Sequence, residues 1–181
     1  MLLTKTITAV GPEPVTVAEV KVSARIDDDI TELDSQIQTL ITSTRLTAEH
    51  ECERQFLPHT LRLGFNGWPS EALPVAPVTE LVGVEASDGT GWEDVEGFSL
   101  AQTICGKSTA LYTGDPADLP SLPDKEGECV RITVEVGCPE NIRAYIIAMV
   151  KHQLVETGNG TAKEPPKYLA GLLDRERRWR P

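Results

Sequence analysis

The chain has 181 residues, of which 40% are hydrophobic and 25% charged, and a formal net charge of −11. That length supports one domain with a good core, or one domain carrying a sizeable insertion. An acidic surface excludes a protein that grips DNA by its phosphates over most of its area, although a negative wall would let DNA slide past it. No stretch approaches the roughly 20 apolar residues of a membrane helix. The opening Met1-Leu2-Leu3-Thr4-Lys5 lacks the basic region and apolar run of a signal peptide, so the chain is expected to be intracellular at synthesis.

Residues 14–57 read as helical. Thr16-Val17-Ala18-Glu19 has the spacing of a capping box, in which Thr and Glu satisfy each other's backbone donors. A short helix should follow to about Ala24. Asp27-Asp28-Asp29 breaks it, and Asp29-Ile30-Thr31-Glu32 repeats the cap pattern with acidic groups at the positive helix end. Ile30, Leu33, Ile37, Leu40, Ile41, Thr44, Ala48 and Cys52 then recur at three- and four-residue spacing. This predicts one apolar stripe on a helix of about seven turns, closed by Pro58.

From residue 58 to 137 Pro and Gly recur, and alternation of period two replaces the helical period. Thr60-Leu61-Arg62-Leu63-Gly64-Phe65 is a strand pattern. Residues 80–85 lead through Asp88-Gly89 to a return strand at 92–95, the signature of a hairpin. A further strand is expected at 110–112. Val130-Arg131-Ile132-Thr133-Val134-Glu135-Val136 alternates most cleanly of all. The 113–127 stretch, rich in Pro, Asp and Gly, reads as an exposed loop. Helix returns over 139–157, with Pro139 in its first turn. Its buried stripe is Ile142, Tyr145, Ile146, Met149, Val150, Gln153 and Leu154, and Gly158 ends it. A last helix, about 166–178, carries Tyr168, Leu169, Leu172 and Leu173.

No arrangement of residues points to catalysis. Cys52, Cys105, Cys129 and Cys138 form no CxxC pair, and His50, His59 and His152 are scattered; a zinc site needs close, recurring ligands. These cysteines are expected to be reduced and mostly buried. His50-Glu51-Cys52-Glu53 lacks the second His that a metal helix requires. Asp27-Asp28-Asp29 lacks the Gly and Glu of a calcium loop and is expected to cap a helix. Phosphate-loop and serine-hydrolase motifs are absent as well. The chain is therefore expected to be no enzyme and to hold no cofactor and no metal. The C-terminus stands above this background: Arg175, Arg177, Arg178 and Arg180 surround Trp179 in an otherwise acidic chain. Arg and Trp dominate interface hot spots, and a basic tail would seek acidic partner surface.

The opening Pro14-Val15-Thr16-Val17-Ala18-Glu19-Val20-Lys21, then Ala24-Arg25-Ile26-Asp27-Asp28-Asp29, then Leu33, Ile37 and Ile41, resembles the start of the phage head–tail connector (adaptor) family. It is closest to the longer gp6-like and phiE125 gp8-like branch. The order of later segments also fits: 54–69 (RQFLPHTLRLGFNGWP), 77–89, 139–152 and 168–180. The Thr47-Ala48-Glu49-His50 stretch is more polar than the family's, and the 113–127 loop is particular to this chain.

The resemblance implies a structural virion protein of the head–tail junction, present in host cytoplasm before assembly. It implies a ring, generally twelve-fold, that sits below the portal protein and extends the DNA channel. DNA would pass without specific binding, and there is no membrane role. The tail side would meet a further connector, stopper or tail-terminator protein. The expected fold class is α+β, a helical bundle built from the N- and C-terminal helices (residues 1–57 with 138–181) with a small antiparallel β-rich insertion (58–137). Leu172, Leu173, Arg175, Arg177, Arg178, Trp179 and Arg180 are expected to dock on the portal or a neighbouring subunit. Deleting 174–181 should then leave the fold intact. The free protein is expected to be a monomer or weak oligomer, because like charge opposes ring closure and salt screens it. The alternative from the residues alone is a host protein–protein adaptor with no role in a virion.

Overall fold

The computed structural model describes residues 1–102, 107–123, 127–159 and 164–177. The elements in chain order are β1 (Leu2–Val10), α1 (Val17–Ala24), α2 (Asp34–Cys52), β2 (His59–Phe65), β3 (Val78–Ser87) and β4 (Trp92–Asp94). There follow β5 (Phe98–Gln102), β6 (Ser108–Tyr112), a 3-10 turn at Pro116–Asp118, β7 (Val130–Val136), α3 (Glu140–Asn159) and α4 (Tyr168–Asp174). Five strands form one antiparallel sheet of order β1-β2-β7-β3-β4, and β5 pairs with β6 in a second. The chain is thus a β-rich α+β fold. The expected helical bundle with a small insertion is corrected: among the described residues seven strands stand against four helices.

Two strands absent from the sequence reading shift that balance. β1 is rich in β-branched Thr, Ile and Val, which suit a pleated chain. Yet of its nine residues only Leu2 is even partly buried, so no alternation of buried and exposed positions announces it. It finds its place through a partner far along the chain, with Ile7 opposite Leu61 and Lys5 opposite Leu63 on β2. β5 is short, and it pairs Phe98 with Tyr112 and Leu100 with Ala110.

The chain divides into two compact units, Met1–Gly11 with Pro58–Gly137, and Pro12–Leu57 with Cys138–Pro181. Residues 1–11 therefore belong with the sheet and not, as expected, with the helices. In the sheet unit, β7 is central, and its Val130, Ile132, Val134 and Val136 all point into the core. Leu61, Leu63 and Phe65 of β2 and Val78 and Val84 of β3 join them. Ala110, Phe98 and Leu100 from the small sheet pack on the same cluster. Across the β1–β2 seam, Thr4 Oγ1 donates to Glu128 Oε2 at 2.8 Å while Glu128 Oε1 accepts from Arg131 Nε at 2.5 Å. Gly64 makes this meeting possible: a Cβ there would stand 2.2 Å from Thr4 Oγ1 and 2.4 Å from Glu128 Cδ.

In the helical unit, Val15, Val20, Ile37, Ile41, Ile142, Ile146, Val150 and Leu169 form the core. The capping box is complete: Glu19 N–H donates to Thr16 Oγ1, and Thr16 N–H donates to Glu19 Oε2 at 2.8 Å. The expected cap at Asp29 is a correction. α2 begins only at Asp34, with Leu33 as N-cap and no side-chain cap bond. The start moves because Lys21, 3% exposed, pairs with Asp34 at 2.5 Å and donates to Asp28 O at 3.3 Å. Satisfying that buried ammonium holds residues 27–33 in turns and ends the apolar stripe at Leu33, leaving Ile30 39% exposed.

Candidate interaction surfaces

The C-terminal docking set divides once it is folded. Leu173 is 1% exposed and lies in the helical core, and Leu172 packs against that core half-buried. Cys52 Sγ donates to Leu173 O at 3.8 Å, and Asn141 Nδ2 donates to Leu172 O at 2.8 Å. These leucines anchor α4 to its own chain, and the Leu173 side chain is packed into the core. Arg177 reaches Glu51 and Asp174, each at 2.9 Å. The hydrogen bond to Glu51, opposed by slight burial and helped by the charge of Asp174, raises its already high pKa. Arg54 pairs with Glu176 beside it. Arg175 is exposed and takes no carboxylate among the described residues. Arg178, Trp179 and Arg180 lie outside the described residues.

Two ion pairs therefore tie residues 176 and 177 back to the C-terminal end of α2. Deleting 174–181 would strip both pairs and the last helical residue, Asp174. The expectation that this deletion is silent for the fold is corrected, because residues 174–177 hold contacts with the rest of the helical unit.

A second surface was not foreseen from the sequence. Ala144, Ile147, Ala148, Lys151 and Val155 recur on α3 at spacings of three and four, so they form a second stripe beside the buried one. With Ser23 of α1 and Pro166, Tyr168 and Leu169 at the start of α4, they line an open groove of about 580 Å³. Its floor is apolar. Val155 is 49% exposed and Tyr168 66%, while Lys151 and His152 supply the polar rim. Ile147 and Ala148 are half-buried and also pack against the helical core, so the groove joins the edge of that core to exposed Val155 and Tyr168.

Beneath these surfaces lies a charged core. Arg45, 7% exposed, donates from Nε to Glu13 Oε2 and from Nη1 to Glu49 Oε2, both at 2.8 Å. Glu49 Oε1 also accepts from the Phe56 and Leu57 N–H groups at 2.8 and 3.1 Å, which closes the end of α2. The hydrogen bond that Arg45 donates to Glu13, against burial and with the nearby charge of Glu49, raises the Arg45 pKa. This explains the unusually polar 47–50 stretch: Glu49 is an internal ligand for Arg45. His50, Glu51 and Glu53 show no metal-like convergence. Among the described residues no group of three or more His, Cys, Asp or Glu side chains could hold a metal. Nor is any helix there long and apolar enough to cross a membrane. Cys52 and Cys129 are buried free thiols, and burial pushes the half-buried Cys138 up to about 12. Cys105 lies outside the described residues.

No protein-family model and no curated protein matches the chain. Solved structures do. One is a chain of the virion of a native gene transfer agent (GTA) particle, with 20% identity and a TM-score of 0.61 over 98% of this chain and 97% of that one. Another belongs to the neck of an empty GTA particle computed with C6 symmetry, with 21% identity, a TM-score of 0.59 and the same coverage. A third belongs to the neck of a native GTA particle computed with C12 symmetry, with 21% identity and a TM-score of 0.56 over 97% and 96%. At this identity the likeness establishes the fold: the chain has the fold of chains found in gene transfer agent particles and their necks.

Proposed function

We propose that this chain is a structural subunit of the neck of a tailed-phage or gene-transfer-agent particle, a head–tail connector of the gp6-like kind. The observation that carries the reading is coverage. The likeness runs through 98% of this chain and 97% of a neck chain, so neither unit is left over for an unrelated role. In this reading copies of the chain close a twelve-fold ring below the portal protein, and a stopper, tail terminator or further connector binds the tail side. The formal charge of −11 suits a wall past which DNA slides without tight phosphate contacts. The chain acts as a scaffold, needs no cofactor, and works in the virion after a soluble stage in the host cytoplasm.

Within this reading Leu172, Leu173 and Arg177 fix α4 on the subunit. Arg175, Arg178, Trp179 and Arg180 make the contact with portal or neighbour, where arginine and tryptophan give the most binding energy per residue. Co-expression with the portal protein of the same particle, followed by electron microscopy, tests the assignment. The expected result is a discrete ring bound coaxially to the portal. A chain lacking 178–181 should fold and lose that attachment. A full-length protein that never joins a portal or a particle would sink the reading, and a truncated chain that still attaches would free the tail of any docking role.

A further inference from the structure

The 27–32 loop is left over by everything above. Asp27, Asp28, Asp29, Ile30, Thr31 and Glu32 are all exposed. The acidic triplet caps no helix, since α2 starts at Asp34 with no side-chain cap bond. Among the described residues none of these carboxylates has a basic partner: the ion pairs of this region are Lys21–Asp34 and Arg143–Glu19. Yet the backbone here is pinned. Ile30 N–H donates to Asp27 O at 3.2 Å, Asp34 N–H donates to Thr31 O at 3.1 Å, and buried Lys21 holds Asp28 O. The result is a held acidic turn that presents one branched aliphatic side chain, Ile30, to solvent.

The α1–α3–α4 groove is its complement. Ile147, Val155 and Leu169 offer an apolar floor, and Lys151, exposed and without a carboxylate partner among the described residues, stands on the rim beside His152. None of residues 27–32 lines the groove of its own chain. We propose that the groove receives the 27–32 loop of a second copy, with Ile30 inserted on the floor and Asp28 and Asp29 against Lys151. Different surfaces meet in this contact, so it repeats head to tail and closes a ring wherever the rotation allows. Opposite charges set its register, and an apolar insert flanked by charge suits a weak contact that forms only when copies are brought together. The inference rests on the ring proposed above and names the patches that would join its subunits.

The test is sedimentation of the full chain near physiological ionic strength, supplemented by assembly on the portal. Lys151→Glu alone, or Asp28→Lys with Asp29→Lys, should weaken self-association by roughly tenfold, because an attraction becomes a repulsion. All three substitutions together should restore it, since loop and groove then exchange signs. Ile30→Cys with Val155→Cys should cross-link on oxidation into a ladder of multimers. Either single cysteine should not go beyond a dimer. If the wild-type chain assembles while the charge variants and the cysteine pair leave assembly unchanged or uncross-linked, the loop–groove contact is wrong and the neck reading stands. If the wild type assembles neither alone nor on a portal, both fall together. If Lys151→Glu loses the portal but keeps self-association, the groove belongs to another protein and the second-copy assignment is overturned.

Discussion

The sheet unit and the helical unit bury similar kinds of apolar side chain by different means. In the sheet unit the core is almost purely aliphatic and aromatic, from Leu61, Leu63 and Phe65 across Ile132 and Val134 to Val84. Its charged pair, Arg131 with Glu128, lies partly exposed and braces the β1 seam. In the helical unit charges enter the interior itself: Arg45 between Glu13 and Glu49, and Lys21 against Asp34. The difference follows from geometry. A sheet satisfies its backbone laterally and can close one face with hydrocarbon alone. Short helices joined by turns leave loose ends and carbonyls, which here are gathered by a few charged side chains. The lesson is that the helical unit should be the more brittle to a single polar change, and the sheet unit the more tolerant of charge and the more sensitive to volume.

Removing the central cation gives the largest expected effect. Arg45→Ala strands Glu13 and Glu49 in a poorly hydrated site and should cost about 3–5 kcal/mol, as breaking one partner of a buried pair does. Denaturant unfolding followed by a probe in each unit would show the loss confined to the helical unit. A comparable loss in the sheet unit would dissolve the contrast. Next comes volume. Leu63→Ala leaves a cavity against Ile132 on the neighbouring strand and should cost about 2–5 kcal/mol, read from the sheet-unit probe.

The smallest effect concerns the α1 cap, where the two chemistries can be separated by pH. The Thr16 backbone N–H, then the Thr16 hydroxyl and Arg143, hold the Glu19 carboxyl below its usual range against the effect of burial. A carboxyl depressed in the folded state adds stability that is fully present above its unfolded pKa and is lost as pH falls through the folded one. Glu19→Gln should therefore weaken the helical unit at neutral pH, and its difference from wild type should shrink below about pH 4. Thr16→Ala should cost about 1 kcal/mol and keep most of its effect in acid. If both variants track pH identically, the cap acts through charge alone and the sharing of donors is not what matters.

Much of the chain was readable because periodicity is local. The capping box at Thr16 and Glu19, the alternation over 130–136, the hairpin turn at Asp88-Gly89 and the buried stripe of α3 all came from spacing alone, since each records which side of its own element meets the core. Asp88 accepts from the Thr90 and Gly91 N–H groups at 2.7 Å, the turn chemistry its sequence announces. The candidate site was half legible: the arginine cluster could be seen, but not that Leu173 beside it is consumed by the core. The groove was written in Val155, an exposed apolar residue outside the buried stripe, and in Ile147, which packs on the edge of the core.

What the sequence determined by itself is therefore the kind of most regular elements, β1 and β5 excepted, and the acidic charge of the whole. Only the tertiary structure decided that β1 belongs to the sheet, that α2 starts at Asp34, and that the fold is β-rich instead of a bundle. The physical reason is the same in each case. β1 is held by hydrogen bonds to a strand that begins only at His59, and its exposed side chains carry no record of that pairing. The start of α2 is set by one buried lysine that prefers Asp34 and the Asp28 carbonyl to the cap geometry its neighbours spell out.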